Sequence, residues 1–309
     1  MADNPTIGLV GLGAMGLPMG RRFLAAGRKL VVVPHVRNAP AEELRSLGAQ
    51  VAGSPSELRA TCDVVVTSLP DVPQVEEVLF GEYGLVTSPG SGGRTSMFID
   101  MSTINPTAAR AHHNRLAEGG IAALDAPVSG GPSRAADGTL TIMVGGEPEA
   151  FEHCKSVLEP VGKHIVHVGG PGSGQAVKLV NQLMISVIMV ANAEALTLGV
   201  KAGVPLQTML DVIGTSSGSN YILQQWMPRT LFSDDLSGGF ALDLLQKDLN
   251  AALTWAREMG VPAFGGSLVQ QLYRLEQDSG AGRLDYSVVA RIYEEAAGVK
   301  LRLGEGDGE

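Results

Sequence analysis

Two cysteines, Cys62 and Cys154, are all that 309 residues provide. They stand far apart and join no CxxC or Cys/His cluster, which argues against a disulfide scaffold and a structural zinc site. Aromatics make up 5% of the chain, too few for a surface on which bases stack. Positive charge is also short. Against 32 Asp and Glu there are 23 Lys and Arg, a formal net charge of −9, and no cationic excess is left to displace counterions from a nucleic acid. Met1 to Asn4 carry no basic segment and no long apolar stretch, so no secretory leader is read there and a cytoplasmic location is the expectation. His112 and His113 are adjacent, and adjacent residues on a helix point apart. They are read as surface residues, and no metal is expected.

What the chain does have is bulk and rhythm. Charged residues are 18% and apolar residues 44%, the profile of a globular protein, and the length suggests about two domains. In the first half, apolar runs at 6–10, 29–33, 64–69, 97–101, 122–125, 139–144 and 165–168 have the character of strands. Helix-compatible stretches at 17–26, 41–47, 72–80, 107–118 and 148–158 lie between several of them. That alternation predicts βαβ units, hence a mostly parallel α/β sheet covered on both faces. Ligands of such sheets bind beyond the carboxyl ends of the strands, where Gly11–Gly16, Leu69–Pro70, Ser102–Thr103 and Pro127–Gly131 fall.

Gly11-Leu12-Gly13-Ala14-Met15-Gly16 follows the first apolar run directly and precedes a helical segment. Strand, glycine turn and helix form the context that gives a GxGxxG pattern its meaning. Gly11 takes the tight turn, Gly13 lets the backbone approach a pyrophosphate, and Gly16 lets helix and strand pack closely. The helix N-terminus then offers N–H groups and a positive dipole end to the phosphates.

After Gly169-Gly170-Pro171-Gly172-Ser173-Gly174 the pattern changes. Residues 175–202 form one helix-compatible run, roughly 40 Å long at about 1.5 Å per residue, and 183–190 are apolar nearly all round. Lys178, Asn181, Gln182, Asn192 and Glu194 interrupt the run and speak against a membrane span. A helix apolar on every side is expected to be buried on every side, here as a central helix joining two domains and covered in part by a second subunit. Residues 205–300 read as helices, at 206–213, 221–225, 242–259, 267–277 and 286–297, with no strand rhythm.

Lys178, Asn181 and Gln182 share one face of the long helix. Lys178 has two readings. It snorkels to solvent along its stem, or it is a partly desolvated proton donor whose burial brings its pKa toward neutrality. Asp125-Ala126-Pro127-Val128-Ser129-Gly130-Gly131 also has two readings: an ordinary Pro/Gly loop, or a nest of N–H groups for a carboxylate.

Gly11–Gly16 with Met19, Asp125–Gly131, Gly172-x-Gly174-x-x-x-Lys178-x-x-Asn181 and Asp243-x-x-x-Lys247-Asp248 occur in this order over nearly the whole chain. Together they resemble the β-hydroxyacid dehydrogenase family. The resemblance implies an α/β fold: an N-terminal Rossmann dinucleotide-binding domain over 1–172, then a long interdomain helix and an all-α C-terminal domain over 173–309. It implies hydride transfer between a nicotinamide cofactor and a short β-hydroxy acid or semialdehyde, with Lys178 as the catalytic acid and base. Ser129, Gly130 and Gly131 would hold the substrate carboxylate, helped by Asn181 and Gln182. Leu69, Pro70, Gln74 and Thr103 would line the cofactor, and Lys247 would close over its nicotinamide side. Without that role, Lys247 reads as a surface partner of Asp243, a pair worth about 0.3–0.5 kcal/mol. Gln182 stands where several relatives carry a second Asn. A cofactor-binding scaffold that has lost catalysis is the alternative, and Lys178 with Asn181 argues against it.

The second strand ends in Val33-Pro34-His35-Val36-Arg37-Asn38, with no acid before Glu42. An acid there binds a ribose 2′-hydroxyl and an Arg accommodates a 2′-phosphate, so Arg37 and Asn38 favour NADP over NAD. Polar residues at 214–220 lean toward a hydroxylated substrate. The apolar 183–190 segment predicts a homodimer or a homotetramer built from dimers.

Overall fold

Strand β1 (Ile7–Val10) is buried throughout, as are β2 (Leu30–Val33), β4 (Val64–Thr67) and β5 (Met97–Asp100). Such buried, largely apolar strands suit a sheet with both faces covered. In the computed structural model, residues 4–35, 38–86 and 93–303 are described. The edge strand β3 (Gln50–Val51) extends the sheet beside β2, and β6 (Ala122–Asp125) continues it beside β5. The order β3-β2-β1-β4-β5-β6 is parallel at every pairing, the strand order of dinucleotide-binding sheets. Two further strands, β7 (Val128–Ser129) and β8 (Leu140–Gly146), add antiparallel pairings, and β9 (Gly162–Gly169) runs parallel to β8.

Because successive side chains of a strand point to opposite faces, the sheet makes two apolar layers. Ile7, Leu9, Val64, Val66, Ile99 and Leu124 join one. It is closed by Met19 and Phe23 of α1 (Gly16–Ala25), Leu44 of α2 (Ala39–Ser46), and Phe151 and Val157, which lie further along the chain. Val31, Val33, Val65 and Phe98 join the other, against Leu58 of α3 (Pro55–Thr61), Val75 and Leu79 of α4 (Val72–Phe80), and Leu116 of α5 (Pro106–Glu118). A short helix α6 (Gly131–Asp137) follows β7, and α7 (Pro148–Leu158) carries Phe151 and Val157. The alternation expected from the sequence is present. β3, α3, β7 and α6 are additions to it.

Helix α8 (Ser173–Lys201) is continuous over 29 residues. The chain divides into two compact units, Met1–Lys178 and Leu179–Glu309, so the first turns of α8 belong by their packing to the sheet unit. The second unit is helical: α9 (Leu206–Gly214), α10 (Leu242–Glu258), α11 (Phe264–Asp278) and α12 (Ala290–Ala297), with a π-helical turn at Ile222–Trp226 and a 3-10 turn at Tyr286–Val289. Its core gathers Met189, Ala193 and Leu196 of α8 with Leu245, Leu249, Tyr273 and Tyr286.

α8 is long and apolar enough to cross a membrane by length and composition alone, a test that the core helix of a globular unit also passes. Within the single chain the cover of α8 is uneven. Met189 and Val190 are buried and Leu183, Ile185, Val187 and Ile188 are partly covered, while Val180, Met184 and Leu198 are exposed.

Candidate active site

The glycine turn sits where the sheet changes direction. From β1 the chain continues to β2 on one side, and from β4 it continues to β5 on the other. Loops that part in this way leave a crevice at the carboxyl ends of the two strands. Gly11 has φ +95°, and a Cβ there would collide with the Ser68 carbonyl at the end of β4. A Cβ on Gly16 would collide with the Gly11 carbonyl, so both glycines are required by the turn itself. Gly13 differs: a Cβ there would meet nothing within 4 Å. Among the described residues no neighbour demands that glycine, and its bare backbone is exposed. Gly13 and Ala14 are exposed, while Leu12 and Met15 pack against the sheet core. α1 begins with no side-chain cap and no acid in its first turn, which leaves its positive end to an anion. These residues fit the pyrophosphate of a dinucleotide.

At the end of β2, His35 and Asn38 are exposed. Val36 and Arg37, the latter expected to set the cofactor preference, lie outside the described residues. Pro70 and Gln74 are exposed at and after the end of β4, and Leu69 is half-buried.

Under these loops runs a buried polar network. Asp100 ends β5, and its Oδ1 accepts from Thr67 Oγ1 at 2.8 Å and from Ser102 N at 3.0 Å. Ser102 Oγ accepts from Leu69 N at 2.9 Å, which joins the loop after β4 to the loop that carries Thr103. Gln175, in the first turn of α8, donates from Nε2 to Ser102 O at 2.8 Å and accepts at Oε1 from Ile104 N at 3.0 Å. Asp125 ends β6 and accepts from Gly172 N at 2.7 Å and Gln175 N at 2.9 Å. Burial pushes the Asp100 carboxyl up from the usual range. Burial also pushes Asp125 up to about 6, against the pull of the Gln175 and Gly172 N–H groups.

Ser129, Gly130 and Gly131 form the turn from β7 into α6 and are half-buried. Gly130 and Gly131 have φ +136° and +69°, so the turn itself calls for glycine at both positions. Lys178 is 8% exposed. That burial favours the desolvated reading of this lysine over snorkelling.

In the second unit, Asn181 donates to Gln182 Oε1 at 3.1 Å, Gln182 donates to Asp248 Oδ2 at 2.8 Å, and Lys247 Nζ lies 2.9 Å from Asp248 Oδ1. The structure thus joins Asn181, Gln182 and Lys247 through Asp248. Asp243 accepts from Gln277 Nε2 at 2.6 Å. The polar segment 214–220 is largely engaged with its own surroundings. Thr215 and Ser216 donate to Val212 O, Ser219 accepts from Gln224, and Asn220 pairs with Asn192.

One expectation is corrected. His112 is not a surface residue: it is 5% exposed, edge-on to Phe80 and 3.4 Å from Glu76 Oε1. It falls on the sheet-facing side of α5, as the apolar Ala109 and Leu116 at spacings of three and four would have indicated. Thr67, Asp100 and Gln175 carry no role in the sequence reading. The signal available was a polar residue where an apolar strand or helix begins or ends.

Residues 6–169 match the family described as the NAD binding domain of 6-phosphogluconate dehydrogenase. Residues 172–293 match the family described as NAD-binding of NADP-dependent 3-hydroxyisobutyrate dehydrogenase. The chain is 39% identical over 305 residues to 2-(hydroxymethyl)glutarate dehydrogenase of Eubacterium barkeri, covering 99% of this chain and 100% of that one. It is 37% identical over 295 residues to 2-hydroxy-3-oxopropionate reductase of Escherichia coli, covering 96% and 99%. The solved 3-hydroxyisobutyrate dehydrogenase of Mycobacterium tuberculosis with L-serine superposes with a TM-score of 0.84 at 32% identity, covering 94% of this chain and 99% of that one.

Proposed function

The chain belongs to the β-hydroxyacid dehydrogenase family, and from that membership we propose that it interconverts a short β-hydroxy acid and its semialdehyde, with Lys178 as general acid and base. The bound nicotinamide supplies the site that gives or accepts hydride. Gly11 to Gly16 and the start of α1 would hold its pyrophosphate, and Leu69, Pro70, Gln74 and Thr103 would line it; the family resemblance assigns Lys247 to the same cofactor. Ser129, Gly130 and Gly131 would hold the substrate carboxylate through N–H groups and a hydroxyl, and the family resemblance assigns Asn181 and Gln182 to the same substrate. In the reducing direction the Lys178 ammonium gives a proton to the carbonyl oxygen as the carbon takes hydride. In the oxidising direction the neutral amine takes the alcohol proton as hydride leaves.

The observation that carries this reading is Lys178 itself, a buried lysine in the helix whose first turn is bonded to the loops at the strand ends. A panel of semialdehydes and hydroxy acids, assayed with NADPH, NADH and their oxidised forms, tests it. Turnover of at least one pair supports the reading, and none with either cofactor defeats it. Arg37 supports a preference for NADP.

The same reading includes a homodimer or a tetramer of dimers. Phe264 is 85% exposed, with Leu268 and Met184 also exposed. α11 packs on α8 at Leu183 and Val187, so these side chains border one apolar surface. Light scattering at micromolar concentration tests this. An active species at the 32.2 kDa chain mass excludes it.

A further inference from the structure

We infer that Gln175 and Asp125 are positioning residues: together they clamp the loop that carries Thr103 to the helix that carries Lys178, so that the cofactor-lining backbone and the proton donor are held as one body. The inference rests on the proposed dehydrogenase reading.

The clamp lies within the sheet unit and is almost wholly shielded from water. Gln175 is fully buried, Ser102 is 3% exposed and Asp125 is 7% exposed. The Gln175 amide is oriented by what it touches. Its Nε2 can only donate and meets the Ser102 carbonyl, and its Oε1 can only accept and meets the Ile104 N–H. These two backbone groups flank Thr103. One side chain therefore grips the loop on either side of the residue assigned to the cofactor, across more than 70 positions of sequence.

Gln175 is itself held at its backbone. Asp125 gives one carboxylate oxygen to Gln175 N and the other to Gly172 N. These are N–H groups of the kind that a helix start leaves without partners of its own. An ionised carboxylate is acceptor-only at both oxygens, whereas an amide of the same shape offers one acceptor and one donor. Lys178 follows Gln175 by three residues, less than one helical turn. If the first turn of α8 rotates or shifts, Lys178 moves with it and the grip on both sides of Thr103 is lost. Filling space alone would not require this arrangement, since an apolar side chain of similar length would occupy the same volume.

Placement errors of about 1 Å can cost on the order of 10²-fold in rate. The test uses the full-length protein with Gln175→Met, which keeps the length and removes the amide, and Asp125→Asn, which keeps the shape and removes one acceptor. Both variants are expected to lose about 10–10²-fold in kcat, with cofactor binding by fluorescence titration changed less than about threefold. The primary isotope effect on kcat with reduced cofactor deuterated at C4 is expected to rise, because the chemical step becomes slower than the rest. In the ligand-free protein, amide hydrogen exchange across 102–104 is expected to quicken in Gln175→Met, although the substitution lies far away in sequence.

Turnover within twofold of wild type in both variants overturns the clamp. So does a loss of turnover with unchanged isotope effect and unchanged exchange at 102–104, which would mark a smaller folded fraction. If Gln175→Met fails to fold, Asp125→Asn decides; if neither folds, the pair is structural and the inference falls. A wild-type protein that turns over no substrate defeats the dehydrogenase reading instead, and the exchange measurement then decides the clamp by itself.

Discussion

Both units bury carboxylates, and they use them differently. In the helical unit Asp285 is fully buried and accepts from Phe240 N at 2.8 Å, Ser287 N at 3.0 Å and Trp226 Nε1 at 3.2 Å. Glu294 accepts from Leu301 N and Arg302 Nη1, both at 2.7 Å, with Lys300 Nζ 3.5 Å away. These acids fix places where the chain turns or crosses. In the sheet unit, Asp100 and Asp125 take their bonds from N–H groups and hydroxyls of loops at the carboxyl ends of strands. The physics of satisfaction is the same, since a buried acceptor left unmatched costs about 1–3 kcal/mol. The segments being held differ. A buried acid is therefore a sign of function only through what it holds.

The comparison predicts that turnover and stability can be separated between the acids at the strand ends and those, such as Asp285, that hold the turns of the helical unit. The largest effect is expected from Lys178→Ala, about 10²–10⁴-fold in kcat with cofactor binding by fluorescence titration retained. More than a tenth of wild-type turnover would remove the assigned role. Next comes Asp285→Ala in the helical unit, which leaves several buried donors unmatched. A loss of about 3 kcal/mol in denaturant unfolding is expected, with kcat per folded molecule unchanged. A fall in kcat at full folding would break the contrast between the units.

A smaller effect is expected from Arg37→Asp, which removes a phosphate partner and adds a repelling charge. The ratio of kcat/KM for NADPH to that for NADH should fall at least about tenfold, the equivalent of one charged contact. An unchanged ratio counts against NADP. The smallest effect concerns pH. The folded-state pKa of Asp125 is raised to about 6 by burial. Its contribution to stability is therefore greatest below the ordinary carboxylate range and is lost as pH rises through about 6. Asp125→Asn should flatten the fall in unfolding free energy between pH 4 and 7 relative to wild type, and an identical slope in the two proteins would refute the assignment.

Much of the sheet unit was legible because its signals are local. A run such as 30–33 is apolar at every position and buried at every position, and the glycine turn is encoded in six consecutive residues. The two-residue strands at Gln50–Val51 and Val128–Ser129 are too short to show a period. The 286–297 segment reads as one helix and is a 3-10 turn followed by an α-helix, with Asp285 capping the turn through Ser287 N. The candidate site divides in the same way. The open backbone at Gly13 was readable from the glycine turn, and Lys178 stood out as a lysine in an apolar helix. Gln175 was not, because its partners lie 71 and 73 residues away and nothing near it in sequence announces them. Gln182 was read as a substrate contact, and its amide ends on Asn181 and Asp248, a pairing that depends on α10 lying against α8.

Cys62 and Cys154 are both fully enclosed, and burial raises both thiols, Cys154 to about 12. The thiolate is the reactive species, so the folded protein presents no thiol that a maleimide reaches readily. A cysteine introduced at an exposed position of the sheet unit, Leu47→Cys or Tyr83→Cys, would be the single labelled site without any change to the native pair. The chain is thus already prepared for dye, spin-label or surface attachment, and its enclosed sulfur would report unfolding by becoming titratable.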